Sequence, residues 1–228
     1  MKKTLLIAFA AIFSFQGIGQ DVYRFGLLPV FNTNAKLKND FSLNVKLENR
    51  HILSRGTLNG ELRGNDYRFE RQDIAGILAK KLSANTRVGA GYLFRLESER
   101  VIHRLIQQIS ITQPLNKVRI AHRFSSDQTW DPDEAFEFRL RYRIGLEVPL
   151  SGTQIDPNEL YFKSNLEYLA RFQAGFVNEF RAIPALGYLA KNKNSFELGL
   201  DYRVGTVFEP IIGHGFWVYF GYYLRLNN

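Results

Sequence analysis

Phe136-Glu137-Phe138-Arg139-Leu140-Arg141-Tyr142-Arg143-Ile144-Gly145-Leu146-Glu147-Val148 alternates residue by residue between a large apolar side chain and a charged residue or glycine. A period of two puts successive side chains on opposite faces of an extended chain, so the segment reads as a β-strand with one greasy and one ionic face. A fully buried strand would not carry those charges, because an unpaired charge in an apolar core is too costly.

The same alternation recurs on either side. Phe41, Leu43, Val45 and Leu47 are interleaved with Ser42, Asn44, Lys46 and Glu48. Val88, Ala90, Tyr92, Phe94 and Leu96 are interleaved with Arg87, Gly89, Gly91 and Arg95, and Val118, Ile120, His122 and Phe124 with Lys117, Arg119 and Arg123. Phe196, Leu198, Leu200, Tyr202 and Val204 stand against Glu197, Gly199, Asp201 and Arg203. The last strand has Phe216, Val218, Phe220, Tyr222, Leu224 and Leu226 on one face and the partly aromatic set Trp217, Tyr219 and Tyr223 on the other. Weaker versions occupy 67–79, 101–112, 160–171 and 180–190, giving ten strands from Phe41 onward.

Water-soluble β-sandwiches alternate too. Three features favour an all-β, antiparallel up-and-down transmembrane barrel instead. The strands reach the roughly 10 residues of a tilted membrane crossing. Tyr92 with Phe94, Phe136 with Phe138, and Tyr219 to Tyr223 collect where an interfacial aromatic girdle would sit. The polar face is ionic rather than merely polar. Short connections at 81–85, 113–116 and 191–194, read as periplasmic, contrast with longer charged ones at 54–66 and 125–134, read as outer loops. Ten strands satisfy the even-number rule. The segment 22–31 either finds a partner and makes twelve or lies across the barrel base.

Met1, Lys2 and Lys3, the apolar run from Leu5 to Phe15, and Gly17, Gly19 and Gln20 have the layout of a cleavable signal peptide over 1–19, leaving 20–228 as one barrel domain. The apolar run is too short for a spanning helix. Bacterial outer membrane, reached by Sec-type export, is the expected location. The chain has no cysteine, which excludes disulfides, thiol nucleophiles, thiolate metal sites and a lipoprotein anchor. Loss of Lys2 and Lys3 lowers the formal charge from +8 to +6. Spread along alternating strands, that excess does not point to nucleic acid as a partner; the expected partners are outer-membrane lipid and, during biogenesis, barrel-assembly machinery. Gly221-Tyr222-Tyr223-Leu224-Arg225-Leu226 looks like the C-terminal signal read by that machinery, departing from it by ending in Leu226 and two asparagines rather than an aromatic. Oligomeric state is not specified.

Ala121-His122-Arg123-Phe124, the run from Phe138 to Leu146, Val148-Pro149-Leu150 and Gly187-Tyr188-Leu189 together resemble a Bacteroidota-type family of exported proteins classed as domain of unknown function 2490. In that family the strand after the Val-Pro-Leu turn often ends in an acidic and an aromatic residue, for which Glu167 and Tyr168 are the nearest equivalents. The resemblance implies an outer-membrane-type barrel and no particular activity.

Inward-facing Arg87, Arg95, Arg119, Arg123, Arg139, Arg141, Arg143 and Arg203 would meet Glu137, Glu147, Glu197 and Asp201 in an ionic lumen. If these pair, the barrel is a plugged scaffold with a structural or interaction role; if the arginines prevail along one side, they line a narrow anion-preferring pore. A lipid-modifying barrel enzyme is the alternative, using His122 or His103, with Ser125 as the candidate nucleophile, though no strained nucleophile turn or oriented base is visible. Asp127, Asp131, Asp133 and Glu134 gather carboxylates suited to a hard cation, but their spacing matches no standard calcium loop, and a solvated loop is the plainer reading. No cofactor is implied.

Overall fold

The computed structural model describes residues 21–60, 63–98, 100–206 and 211–226. The expected signal peptide at 1–19 and the two terminal asparagines lie outside them. Among the described residues the chain forms eleven strands and nothing else regular: β1 (Val22–Lys36), β2 (Phe41–Thr57), β3 (Arg63–Lys81), β4 (Thr86–Glu97), β5 (Arg100–Leu115), β6 (Val118–Trp130), β7 (Glu137–Pro149), β8 (Glu159–Phe172), β9 (Phe176–Leu189), β10 (Ser195–Gly205) and β11 (Gly213–Leu226). Each pairs antiparallel with its sequence neighbour, and β1 pairs with β11 to close the barrel. There is one sheet with no free edge, so the sandwich alternative does not apply.

The ten strands read from alternation are β2 to β11. The segment at 22–31 neither makes a twelfth strand nor lies across the base. It is most of β1, and it enters the wall as an eleventh strand. An odd number of up-and-down strands leaves the first and last running the same way, so β1 and β11 pair in parallel from Val22 opposite Gly213 to Ala35 opposite Leu226. Parallel pairing is slightly weaker per residue than antiparallel. At this seam the inner face carries apolar packing in place of charge: Leu28 and Val30 of β1, Trp217 and Tyr219 of β11, Ile52 of β2 and Ala185 of β9 form one buried cluster.

The entry end, where β1 begins, carries the connections 58–62, 98–99, 131–136, 173–175 and 206–212; the exit end, where β11 finishes, carries 37–40, 82–85, 116–117, 150–158 and 190–194. The three connections read as short share the exit end and the two read as long share the entry end. The expected length asymmetry is absent, however, because 150–158, the longest connection, sits among the short ones. The two "long" loops were also overread. β6 continues through the polar run 125–129 to Trp130, and β2 and β3 reach Thr57 and Arg63.

Alternation does sort the side chains. On β7 Leu140 is exposed on the outer wall while Glu137 and Arg139 are buried inside. Two aromatics expected in a girdle, Tyr219 and Tyr223, lie inside instead: Tyr219 is buried and its hydroxyl donates to Glu197 at 3.1 Å. Three bulges or irregularities, opposite Phe25/Gly26, opposite Arg50/His51 and between Ile52 and Ser54, interrupt the period in β2 and β3.

Close packing of side chains inside leaves certain glycines no room for a Cβ. One built at Gly187 falls within the ring of Tyr161, whereas one at Gly76 meets nothing within 4 Å. G187A should therefore cost about 1–3 kcal/mol of unfolding free energy in detergent, while G76A should be neutral or stabilising by up to about 1 kcal/mol. Equal effects for the two would contradict this packing.

Candidate functional site

The lumen is built from charge. Of the eleven strands, nine send at least one arginine towards the entry half of the interior: Arg24, Arg50, Arg71, Arg95, Arg100 with Arg104, Arg139, Arg171, Arg181 and Arg203, from β1 to β5 and β7 to β10. Below them sits a layer of carboxylates that hold these guanidiniums. Arg95 makes a two-pronged bond to Asp73 at 2.7 and 2.9 Å, and Arg203 does the same to Asp201 at 2.8 and 2.7 Å. Asp127, fully buried, accepts from Arg139 at 2.7 Å and Arg141 at 2.9 Å. Glu167 receives Arg143 at 2.7 Å and faces Arg181 at 3.1 Å, and Glu48 receives Lys46 and Arg50. Charged hydrogen bonds of this type are the strong ones, and the flat guanidinium fork matches a carboxylate in two places at once.

At the exit end a second network centres on Glu197, which accepts from Lys163 at 2.7 Å, Tyr161 at 2.9 Å and Tyr219 at 3.1 Å. Tyr219 also bonds Tyr223, and the Lys163 ammonium lies 4.9 Å above the Tyr223 ring. Arg119 pairs with Glu147 there.

The residues singled out from sequence thus separate into groups. Arg95, Arg139, Arg141, Arg143 and Arg203 all find carboxylates, but mostly not those named beside them: Asp73, Asp127 and Glu167 do most of the pairing. Glu137 is near three guanidiniums, Arg104 at 3.7 Å, Arg139 at 3.4 Å and Arg171 at 3.6 Å. Among the described residues, Arg87 and Arg123 have no carboxylate within 4.0 Å.

His122 and Ser125 lie on opposite faces of β6. Ser125 is buried inside, while His122 is on the outer wall with its Nδ1 2.8 Å from the Tyr142 hydroxyl. An odd separation along a regular strand makes a nucleophile–base pair impossible there. His103 bonds Tyr92, and His214 bonds Tyr202 at 2.9 Å, while His51 stacks on Tyr67. Each histidine is thus matched to a tyrosine of the outer wall.

The four carboxylates proposed as a cation loop are not brought together. Asp127 belongs to the wall. Asp131 and Glu134 lie 3.3 and 3.4 Å from Arg100, and Asp131 caps the backbone N–H of Asp133 at 3.0 Å. Glu134 also accepts from the Gln173 amide at 2.9 Å, which together with Arg100 lowers its pKa.

Sequence reading missed Arg50, Arg71, Arg104, Arg171 and Arg181. Arg104 lay on the inner register of a strand already recognised. Arg71 was hidden by the bulge opposite Arg50 and His51, which lets the consecutive residues Glu70 and Arg71 both face the interior.

The family model for a protein of unknown function, DUF2490, matches residues 25–209, which run from β1 to just past β10. The chain belongs to the DUF2490 family. No curated protein and no solved structure matches it. For this DUF2490 protein, the site is therefore defined by its own geometry.

Asp127 is the pivot of that geometry, with no exposure and two guanidiniums on one carboxylate. Its amide variant D127N leaves Arg139 and Arg141 short of a counter-charge and should destabilise the folded protein by about 3–5 kcal/mol. E147Q, at the more open Arg119 pair, should cost less than about 1 kcal/mol. Denaturant titration of both variants in detergent checks the contrast.

Proposed function

We propose that this DUF2490 barrel spans the bacterial outer membrane as a plugged scaffold of structural or interaction type, with outer-membrane lipid around its wall. One observation carries the reading: large apolar side chains occupy the outer face in unbroken rows. Leu186, Leu198, Phe220 and Pro29 sit side by side across β9, β10, β11 and β1, and Phe124, Tyr142, Tyr168 and Phe180 across β6 to β9. Most of these are exposed. Soluble proteins seldom expose contiguous apolar patches beyond a few hundred Å², whereas a bilayer solvates such a wall and penalises charge on it.

Strand length supports the same reading. A 14-residue strand such as β8 is about 46 Å long at about 3.3 Å per residue. Tilted by about 40°, it rises roughly 35 Å, enough to cross the apolar band of about 25 Å with both ends in water. The plugged form is favoured over an open anion pore because the paired layer of Asp73, Asp127, Glu167 and Asp201 with their arginines fills the middle of the interior. The seam cluster adds apolar packing beside it. A barrel of this strand number has limited space once long side chains fill it. An export leader at 1–19 and recognition of the β11 end by barrel-assembly machinery complete the proposed route.

Two measurements test it. Unheated protein in detergent should migrate as a compact band on a gel and shift on boiling, and the native protein should fractionate with the outer membrane. In planar bilayers it should give no discrete, salt-dependent current steps. Regular steps with anion preference would replace the plug by a pore, and a protein soluble without detergent would overturn the membrane reading.

A further inference from the structure

Above the paired layer the lumen holds a cavity of about 370 Å³ lined at the entry end. Ten arginines and six carboxylates front it. Four of the carboxylates that hold these guanidiniums, Asp73, Asp127, Glu167 and Asp201, do not line it but stand behind the arginines, whereas Glu70 and Glu179, paired with Arg24 and Arg181, are among the six that do. The network as a whole is thus near balance, while the surface facing the cavity is guanidinium-rich.

Several of those guanidiniums have donors to spare. The ion pairs of Arg71 with Glu97 and of Arg171 with Glu137 are both 3.6 Å, beyond hydrogen-bond length. The Nε groups of Arg50, Arg71 and Arg139 are buried without a hydrogen-bond partner, and Arg50 and Arg139 are themselves only 5% and 8% exposed. Glu137 sits among Arg104, Arg139 and Arg171 at 3.4 to 3.7 Å, holding them near one another without consuming their donors. A buried donor left unmade costs about 1–3 kcal/mol, so this many around one cavity calls for acceptors from outside the chain.

We propose that the entry cavity is a binding site for a phosphate-class polyanion. The donors come from β2, β3, β7 and β8 and converge from several directions. A planar carboxylate offers two oxygens in one plane, whereas a phosphate offers them tetrahedrally and a diphosphate doubles the set. Arginine is the side chain suited to such bidentate oxyanion recognition. The volume lies in the range of small-molecule sites. The same chemistry is presented by a soluble diphosphate and by a phosphorylated lipid headgroup. The site goes beyond the membrane reading, since it needs a closed wall but no particular solvent outside it.

Calorimetric titration of the detergent-folded protein with sodium pyrophosphate, at fixed ionic strength, tests it. Saturable binding is expected, weakened about tenfold or more by R71Q and by R171Q, the loss of one charged hydrogen bond, and unchanged by R119Q at the exit end. In nanodiscs, loss of the pyrophosphate signal when phosphatidylglycerol is added to phosphatidylcholine assigns the site to a lipid headgroup; persistence assigns it to a soluble anion. Both results uphold the site. Absence of saturable binding in protein that keeps its compact unheated band overturns this proposal while leaving the barrel reading intact, and an equal loss in R119Q reduces it to diffuse charge attraction.

Discussion

Every strand of this barrel turns one face into a shared enclosure, and the charges sent there must neutralise one another. The cost of an uncompensated buried charge is far larger than the net gain from any single ion pair. That asymmetry explains the arrangement better than the strength of the pairs does. Asp127 bridges neighbours on β7, Asp73 clamps β4 and Glu167 draws β7 and β9 together, so each of these three carboxylates serves strands other than its own. A slip of one residue in any strand would turn its arginines outward and its phenylalanines inward. Register and charge pairing therefore enforce each other.

The seam departs from this pattern for a topological reason. An eleventh strand forces parallel closure, and the interior behind it is apolar and aromatic rather than ionic. Trp217 packs against Leu28 and its ring lies 4.8 Å beneath the guanidinium of Arg50, joining the two regimes. Gly26 admits this contact, since a Cβ there would meet the Trp217 ring and the His51 carbonyl. The inward aromatics of β11, which look anomalous beside the arginine-bearing faces of other strands, are thus the filling of the seam.

Alternation made the ten strands from β2 onward legible, together with the inward direction of Arg95, Arg139, Arg141, Arg143 and Arg203. It failed where both faces are polar. Ser126 and Gln128, on the outer face, are hydrogen-bonded to Gln107 of β5, so the run 125–129 read as a loop although it is wall. It failed again at the bulges, where Glu70 and Arg71 share a face, and at the Asn-Thr-Asn end of β1. Parallel closure has no local signature at all. The pairing partners were equally hidden, because strand-to-strand register is a long-range property. The entry cavity depends on all of these and was not readable as a site.

The central claim is that the apolar face of each strand is wetted by lipid while the ionic face looks inward. The absence of cysteine allows it to be tested by placing single spin-labelled cysteines at successive positions along β7, 138 to 146, in reconstituted liposomes. Collision with oxygen, which partitions into lipid, should peak at positions 138, 140, 142, 144 and 146 and fall at those between. Even-numbered positions that collide instead with a water-soluble nickel chelate, or that lose the alternation altogether, would contradict the account.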